Sequence, residues 1–205
     1  MKKIVVLISG KGSNLKSIID ACKQRINGKI VAVFSNKSSA YGLIYARREY
    51  IPTHVITENN KKFDYVLSKE IDVYEPDLIV LAGYMRILNN FFIDHYKGMI
   101  LNIHPSLLPK YPGLNTHRKV LKNGDLEHGS SVHFVTEELD KGPIVIQSKI
   151  NVFPKDDENS IIQRIKDKEH IIYPVVIKWF LEGRLIMKEK NAWLDGIKLS
   201  LKGYI

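Results

Sequence analysis

An asparagine and a histidine two residues apart, in a run that reads as a strand, have chemistry to offer. The chain carries such a pair in Leu101-Asn102-Ile103-His104-Pro105-Ser106-Leu107-Leu108-Pro109. In an extended backbone alternate side chains share a face, so Asn102 and His104 project together while Ile103 turns to the core. An amide donor beside a titratable imidazole suits the developing oxyanion of a tetrahedral intermediate in acyl transfer, and the imidazolium can also give a proton. No nucleophilic side chain accompanies them. Cys22 falls in a helical stretch, and neither Ser13 nor Ser106 has a histidine and carboxylate arranged to activate it, so attack by a substrate's own amine is the simpler chemistry. Taken singly, Asn102 also reads as a strand-end turn residue and His104 as a satisfied loop histidine.

A second candidate is the loop Ser9-Gly10-Lys11-Gly12-Ser13-Asn14, which follows the first strand and opens the first helix. Glycines let backbone N–H groups approach an anion, and a helix N-terminus adds a favourable partial charge. A dinucleotide is disfavoured, because Leu15 stands where a third glycine would and no acidic residue closes the second strand. The loop fits either a monophosphate site or a tight turn with Ser13 or Asn14 as helix cap. A third candidate is Asp140, in the turn Asp140-Lys141-Gly142-Pro143. A carboxylate brought near His104 would orient the ring, favour its charged form and accept protons relayed from an attacking amine. Whether the two meet is open at this stage.

The elements that must position these residues alternate. Residues 4–8, 30–34, 54–56, 78–81 and 99–103 read as strands, and 14–23, 41–50, 61–74 and 89–96 as helices. That pattern predicts an α/β fold, a Rossmann-like, mostly parallel sheet with helices on both faces. Open parallel sheets bind ligands at the carboxyl ends of their strands, where Asn102 and His104 fall. Beyond Pro112 come a helix at 116–122, strands at 130–135 and 144–150 forming an antiparallel hairpin on the sheet, a long helix at 159–181 and short strand-like pieces such as 184–188. With no repeat or Pro/Gly/Ser linker, one domain over 1–205 is expected, residues 1–100 serving as a phosphate-binding half and 101–205 as a catalytic half.

Composition agrees with a cytoplasmic enzyme. The chain has 205 residues, 44% of them hydrophobic, and a single cysteine, which cannot form an internal disulfide. No apolar run is long enough to span a bilayer. The net charge of +9 comes from scattered residues, without the basic block of a nucleic-acid footprint, although it would attract a phosphorylated substrate. His54, His95, His117, His128, His133 and His170 show no zinc spacing, so no metal is expected. His133 lies in an alternating strand and faces either the site or the core.

At these residues the chain resembles the glycinamide ribonucleotide transformylase family, and the likeness spans essentially its whole length. It rests on Val5-Val6-Leu7-Ile8-Ser9-Gly10-Lys11-Gly12-Ser13-Asn14-Leu15, Leu81-Ala82-Gly83-Tyr84-Met85-Arg86-Ile87-Leu88, Asn102-Ile103-His104-Pro105-Ser106-Leu107-Leu108-Pro109 and Gly129-Ser130-Ser131-Val132-His133-Phe134-Val135. The resemblance implies formyl transfer from 10-formyltetrahydrofolate to the amine of glycinamide ribonucleotide in purine synthesis, by a monomer or weak homodimer without metal, membrane or nucleic acid. It further implies that Gly12, Ser13, Asn14 and Glu169 bind the ribonucleotide, and that Asn102, His104 and Asp140 are catalytic, Asp140 favouring the charged His104. Met85, Arg86, Ile87, Leu88, Asn102, Thr136, Glu137, Glu138, Leu139 and Asp140 would hold the folate. The chain departs from the family at Asn60, where an arginine for the folate's acidic tail is common although Lys61 and Lys62 adjoin it, and at Asn115, where a histidine is common. Initiator-tRNA formyltransferases share Asn-x-His-Pro-Ser-Leu-Leu-Pro but add a C-terminal nucleic-acid-binding domain, and formyltetrahydrofolate deformylases add an N-terminal regulatory one.

Overall fold

The computed structural model describes residues 1–57 and 62–204, so Asn60 and Lys61 lie outside the described residues. Buried apolar runs form strands β1 (Lys2–Ile8), β2 (Gly28–Ser35), β3 (Thr53–Val55), β4 (Leu78–Leu81) and β5 (Ile100–His104). Between them run helices α1 (Ser13–Gln24), α2 (Gly42–Arg48), α3 (Phe63–Asp72) and α4 (Asn90–His95). The chain continues through α5 (Thr116–Asn123), β6 (Glu127–Phe134), β7 (Ile144–Asn151) and the long α6 (Glu158–Leu181). All these elements follow the sequence pattern, with ends shifted by a few residues.

Seven strands make one sheet in the order β3-β2-β1-β4-β5-β6-β7. The first five are parallel, and β6 and β7 are antiparallel to their neighbours β5 and β6. The sheet is buried on both faces, which is why its central strands are continuously apolar. Ile4, Val6, Ile8, Leu101 and Ile103 pack toward α1 and α6, whereas Val5, Leu7, Ile79, Leu81 and Ile100 pack toward α3 and α4. Asn102 and His104, alternating with Leu101 and Ile103, therefore leave β5 on the α3/α4 side.

After α6 the tail forms a second, antiparallel sheet of β8 (Leu185–Lys188), β9 (Asn191–Leu194) and β10 (Ile197–Lys198). Both of its turns, Glu189-Lys190 and Asp195-Gly196, have positive φ at two consecutive residues, the backbone that tight hairpins require. The sequence pattern picks out only the first of these strands. The others are only four and two residues long, too short for a period of two to show.

α6 begins in a capping box between Asp157 and Ser160 and includes Pro174. Just before that proline, the fully buried Tyr173 lies across the sheet's carboxyl edge. Its hydroxyl is 2.9 Å from the carbonyl oxygens of both Leu81 and Leu101, the last residue of β4 and the second of β5. One O–H shared between two strands ties α6 to the edge that carries Asn102. Tyr173→Phe should cost about 1–3 kcal/mol, because it strips a donor from two buried carbonyls. Urea unfolding should show a lower midpoint at an unchanged slope.

Candidate active site

The strand order reverses between β1 and β4: from β1 the chain moves outward to β2 and β3, then returns to β4 and β5. A crevice opens at the carboxyl ends there. Ser9 and Gly10 leave β1, Gly12 turns with φ 76°, and α1 begins at Ser13. A side chain at Gly12 would be strained by that φ and would put its Cβ 2.4 Å from the Cα of Gly42, whose N–H donates to the Gly10 carbonyl at 3.0 Å. The loop is thus pressed against α2. No side chain caps α1, so the capping reading of Ser13 and Asn14 does not hold, and the first-turn N–H groups stay available to an anion.

Asn14 turns inward instead. Its Nδ2 donates to Glu169 Oε2 at 2.9 Å, across 155 residues, while its Oδ1 is buried without a partner among the described residues. Burial pushes the Glu169 carboxyl up to about 7, against which the Asn14 hydrogen bond works. On the far side of the crevice the loop after β4 is fastened by Ser9, whose Oγ accepts the Met85 N–H at 2.8 Å and donates to Asn36 Oδ1 at 2.6 Å.

The residues expected to carry acyl transfer meet where β5 pairs with β6. The antiparallel register sets Asn102 opposite His133 and His104 opposite Ser131. Asp140 comes back from the β6–β7 connection in a left-handed conformation, φ 54°, and its Oδ2 stands 3.4 Å from His104 Nδ1. The same oxygen accepts the Gly113 N–H at 2.8 Å. His104 Nε2 lies 2.9 Å from the Tyr111 carbonyl oxygen, which can only accept, so that nitrogen carries a hydrogen. His104 and the Asp140 side chain are both more than nine-tenths buried. Ser131 Oγ donates to the Ser106 carbonyl at 2.7 Å and accepts from the Leu108 N–H at 3.1 Å and Gln147 Nε2 at 2.8 Å. A polar row from β7 through β6 to the loop after β5 thereby holds the backbone that follows His104.

The remaining predicted residues are dispersed around this centre. Met85 and Ile87 are exposed, Arg86 stacks on the Phe63 ring with its guanidinium carbon 3.8 Å from the centroid, and Leu88 is buried in the core under α3 and α4. Leu88 can therefore offer a ligand only its backbone. Thr136 is half-buried, while Glu137, Glu138 and Leu139 are exposed, Glu138 pairing with Lys141 at 2.6 Å. Asn115 precedes α5 with φ 61° and does not cap it through its side chain. Sequence reasoning missed Ser131, Gln147 and Tyr173 and left His133 open. The alternation of β6 is the signal that puts His133 and Ser131 on one face, but only the register names their partners. Among the described residues no group of three His, Cys, Asp or Glu side chains is placed to hold a metal ion, and no helix is long and apolar enough to cross a membrane.

The model of the family described as formyl transferase matches residues 2–177. The chain belongs to the formyl transferase family. The phosphoribosylglycinamide formyltransferase of Escherichia coli (strain K12) is 57% identical over 206 residues, covering 98% of this chain and 97% of the relative. The trifunctional purine biosynthetic protein adenosine-3 of Homo sapiens is 37% identical over 94% of this chain, which spans 20% of that protein. The solved phosphoribosylglycinamide formyltransferase of Coxiella burnetii matches with a TM-score of 0.95 at 47% identity, over 99% of this chain and 98% of that one. As in any formyl transferase, this chain must bring a formyl donor and an acceptor to one centre.

Glu169 gives this site a pH signature. Its folded carboxyl titrates at about 7 against an ordinary 4.5, so below about pH 4.5 it is neutral in both folded and unfolded chains and costs nothing. As pH rises from there to about 7 the unfolded chain loses the proton first, and folding stability falls. Glu169→Gln removes the titration and keeps an acceptor for Asn14. It should be more stable than the parent by about 2–3 kcal/mol near pH 8 and about equal near pH 4, as read from unfolding curves at both pH values.

Proposed function

We propose that the chain moves the formyl group of 10-formyltetrahydrofolate onto the amine of phosphoribosylglycinamide in purine synthesis. The observation that carries the reading is the pairing of His104 with Asp140 beside Asn102, at the carboxyl edge of a sheet otherwise shaped for a phosphorylated ligand.

In this reading the ribonucleotide phosphate sits on the N–H groups at Gly12, Ser13 and Asn14 and on the Ser13 hydroxyl, where a helix dipole favours negative charge. Glu169 reaches the glycinamide end. The folate lies between the 85–88 segment and the 136–140 loop, touching Met85, Arg86 and Ile87 by side chain and Leu88 by backbone, then Thr136, Glu137, Glu138 and Leu139. The amine nitrogen attacks the formyl carbon, and the carbonyl electron pair moves to oxygen. Asn102 and the His104 Nε2–H, now given to Tyr111, are the donors available to that oxyanion. Asp140 favours a hydrogen on Nδ1 and accepts the proton the amine sheds. When the intermediate collapses, the bond from carbon to the folate nitrogen breaks and that nitrogen is protonated as it leaves. Transition-state charge, rather than ground-state affinity, is what these groups address.

The test is acceptor dependence. Purified protein should convert 10-formyltetrahydrofolate to tetrahydrofolate only when phosphoribosylglycinamide is present. Equal turnover without any amine would make water the acceptor, and formylation of charged initiator tRNA would make the acceptor a nucleic acid. Two substitutions divide chemistry from binding. Asp140→Asn keeps size and hydrogen bonding but loses the charge, so kcat should fall by about 100-fold or more while both dissociation constants change little. Ser13→Ala should weaken ribonucleotide binding by about 1–3 kcal/mol and leave folate binding unchanged, which calorimetry with each ligand separately reads directly.

A further inference from the structure

His133 is a fully enclosed imidazole that no step above employs. It stands on β6 directly across from Asn102, at the point where the β6–β7 register shifts. Two contacts fix its chemical form. Nδ1 lies 2.9 Å from the Phe134 carbonyl oxygen, which has no hydrogen to give, so Nδ1 carries one. Burial opposes a charged ring and pushes its titration well below the ordinary histidine range; nearby His104 works in the same direction and the Asp140 carboxylate against it. In a neutral ring protonated at Nδ1, Nε2 is a bare lone pair. That lone pair faces Asn102 Nδ2 at 3.1 Å.

A bare nitrogen can only accept, so it dictates which way the Asn102 carboxamide points. The NH2 group turns toward His133, because Oδ1 there would set two acceptors against each other. One Nδ2 hydrogen is used on His133, and the second stays on the same side of the amide, free to serve as a donor. Cross-strand neighbours in an antiparallel pair are close enough for such a contact to be part of the ladder itself.

We propose that His133 is a positioning residue for formyl transfer: as the Nδ1–H tautomer it clamps the Asn102 carboxamide with its N–H side toward the oxyanion. Without the clamp the amide can rotate by half a turn and present Oδ1, a lone pair, to developing negative charge. The inference rests on the reading of Asn102 as an oxyanion donor. Because the neutral formyl group gains little from that donor, loss of the clamp falls on kcat rather than on KM.

Four measurements test it. In the unmodified protein, 15N NMR of the His133 ring should show Nδ1 protonated and Nε2 bare, and a hydrogen on Nε2 would overturn the proposal with no variant needed. His133→Leu, checked for folding by its thermal melt, should lower kcat by about 10- to 100-fold with KM for both substrates within about threefold. His133→Gln, whose Oε1 can accept the same hydrogen, should recover most of that loss; a merely structural role would show no such split or rescue. On an Asn102→Ala background, His133→Leu should change kcat by less than about twofold, since a residue acting through Asn102 has nothing left to act on. Full additivity, or a folded His133→Leu with unchanged kcat, would overturn the proposal. If Asn102→Ala alone leaves kcat unchanged, the oxyanion reading itself fails, which is a separate result.

Discussion

The antiparallel pairing of β6 with β5 decides which side chains meet at the carboxyl edge. Side chains alternate with a period of two, so a slip by one residue would carry His133 and Ser131 to the α1/α6 face and bring Val132 and Phe134 against Asn102 and His104. Such a slip would take two fully buried apolar residues out of the α1/α6 core and put polar ones there among hydrocarbon. The hydrophobic core under α1 and α6 therefore enforces the register of the polar face opposite. The meeting of Asn102, His104, Ser131 and His133 is thus a by-product of core packing.

The same register explains how Asp140 reaches His104 from far along the chain. At the turn end of β6, Gly142 lies so close to the Phe134 carbonyl that a Cβ would sit 1.8 Å from its oxygen, and the Phe134 N–H donates to the Pro143 carbonyl at 3.1 Å. The connection must leave and re-enter the sheet at nearly one point, which folds residues 135–141 back over the edge. Asp140 adopts positive φ within that fold, a conformation aspartate tolerates better than most side chains. The Gly113 N–H then meets its carboxylate from the neighbouring loop. Removing bulk at Gly142 and bending the chain at Asp140 solve one geometric problem together.

Much of this was legible in the residues. Apolar runs of strand length marked the parallel sheet, and the Asn102-x-His104 spacing gave two side chains on one face with Ile103 behind them. The Gly10-to-Asn14 loop announced a close backbone approach, although not that Gly42 is what it approaches. Illegible parts share a cause, since each depends on which distant segment arrives. Tyr173 reads as an apolar helix residue until β4 and β5 present carbonyls to it, and Asn14 reads as a cap until Glu169 appears beside it. Leu88 sits in a segment matched to a ligand pocket, yet α3 and α4 bury its side chain. The strands β9 and β10, four and two residues long, are too short to show periodicity.

The two buried carboxyl groups of the crevice show how environment divides labour between similar chemistry. Asp140 accepts the Gly113 N–H at 2.8 Å and stands 3.4 Å from His104 Nδ1. Glu169 has one amide hydrogen from Asn14, with Tyr173 a turn further along α6, and its burial pushes it up to about 7. A carboxyl that burial lifts to about 7 can keep its proton near neutral pH and offer it as a hydrogen-bond donor, whereas Asp140, against the His104 ring, is the one placed to take the amine's proton in the proposed reaction. In the proposed reaction the amine must arrive without its extra proton and the oxyanion must find donors already aligned. Asn14 ties Glu169 to the loop after β1 and Gly113 ties Asp140 beside His104, so in that reaction Glu169 would hold the acceptor and Asp140 would take up its proton.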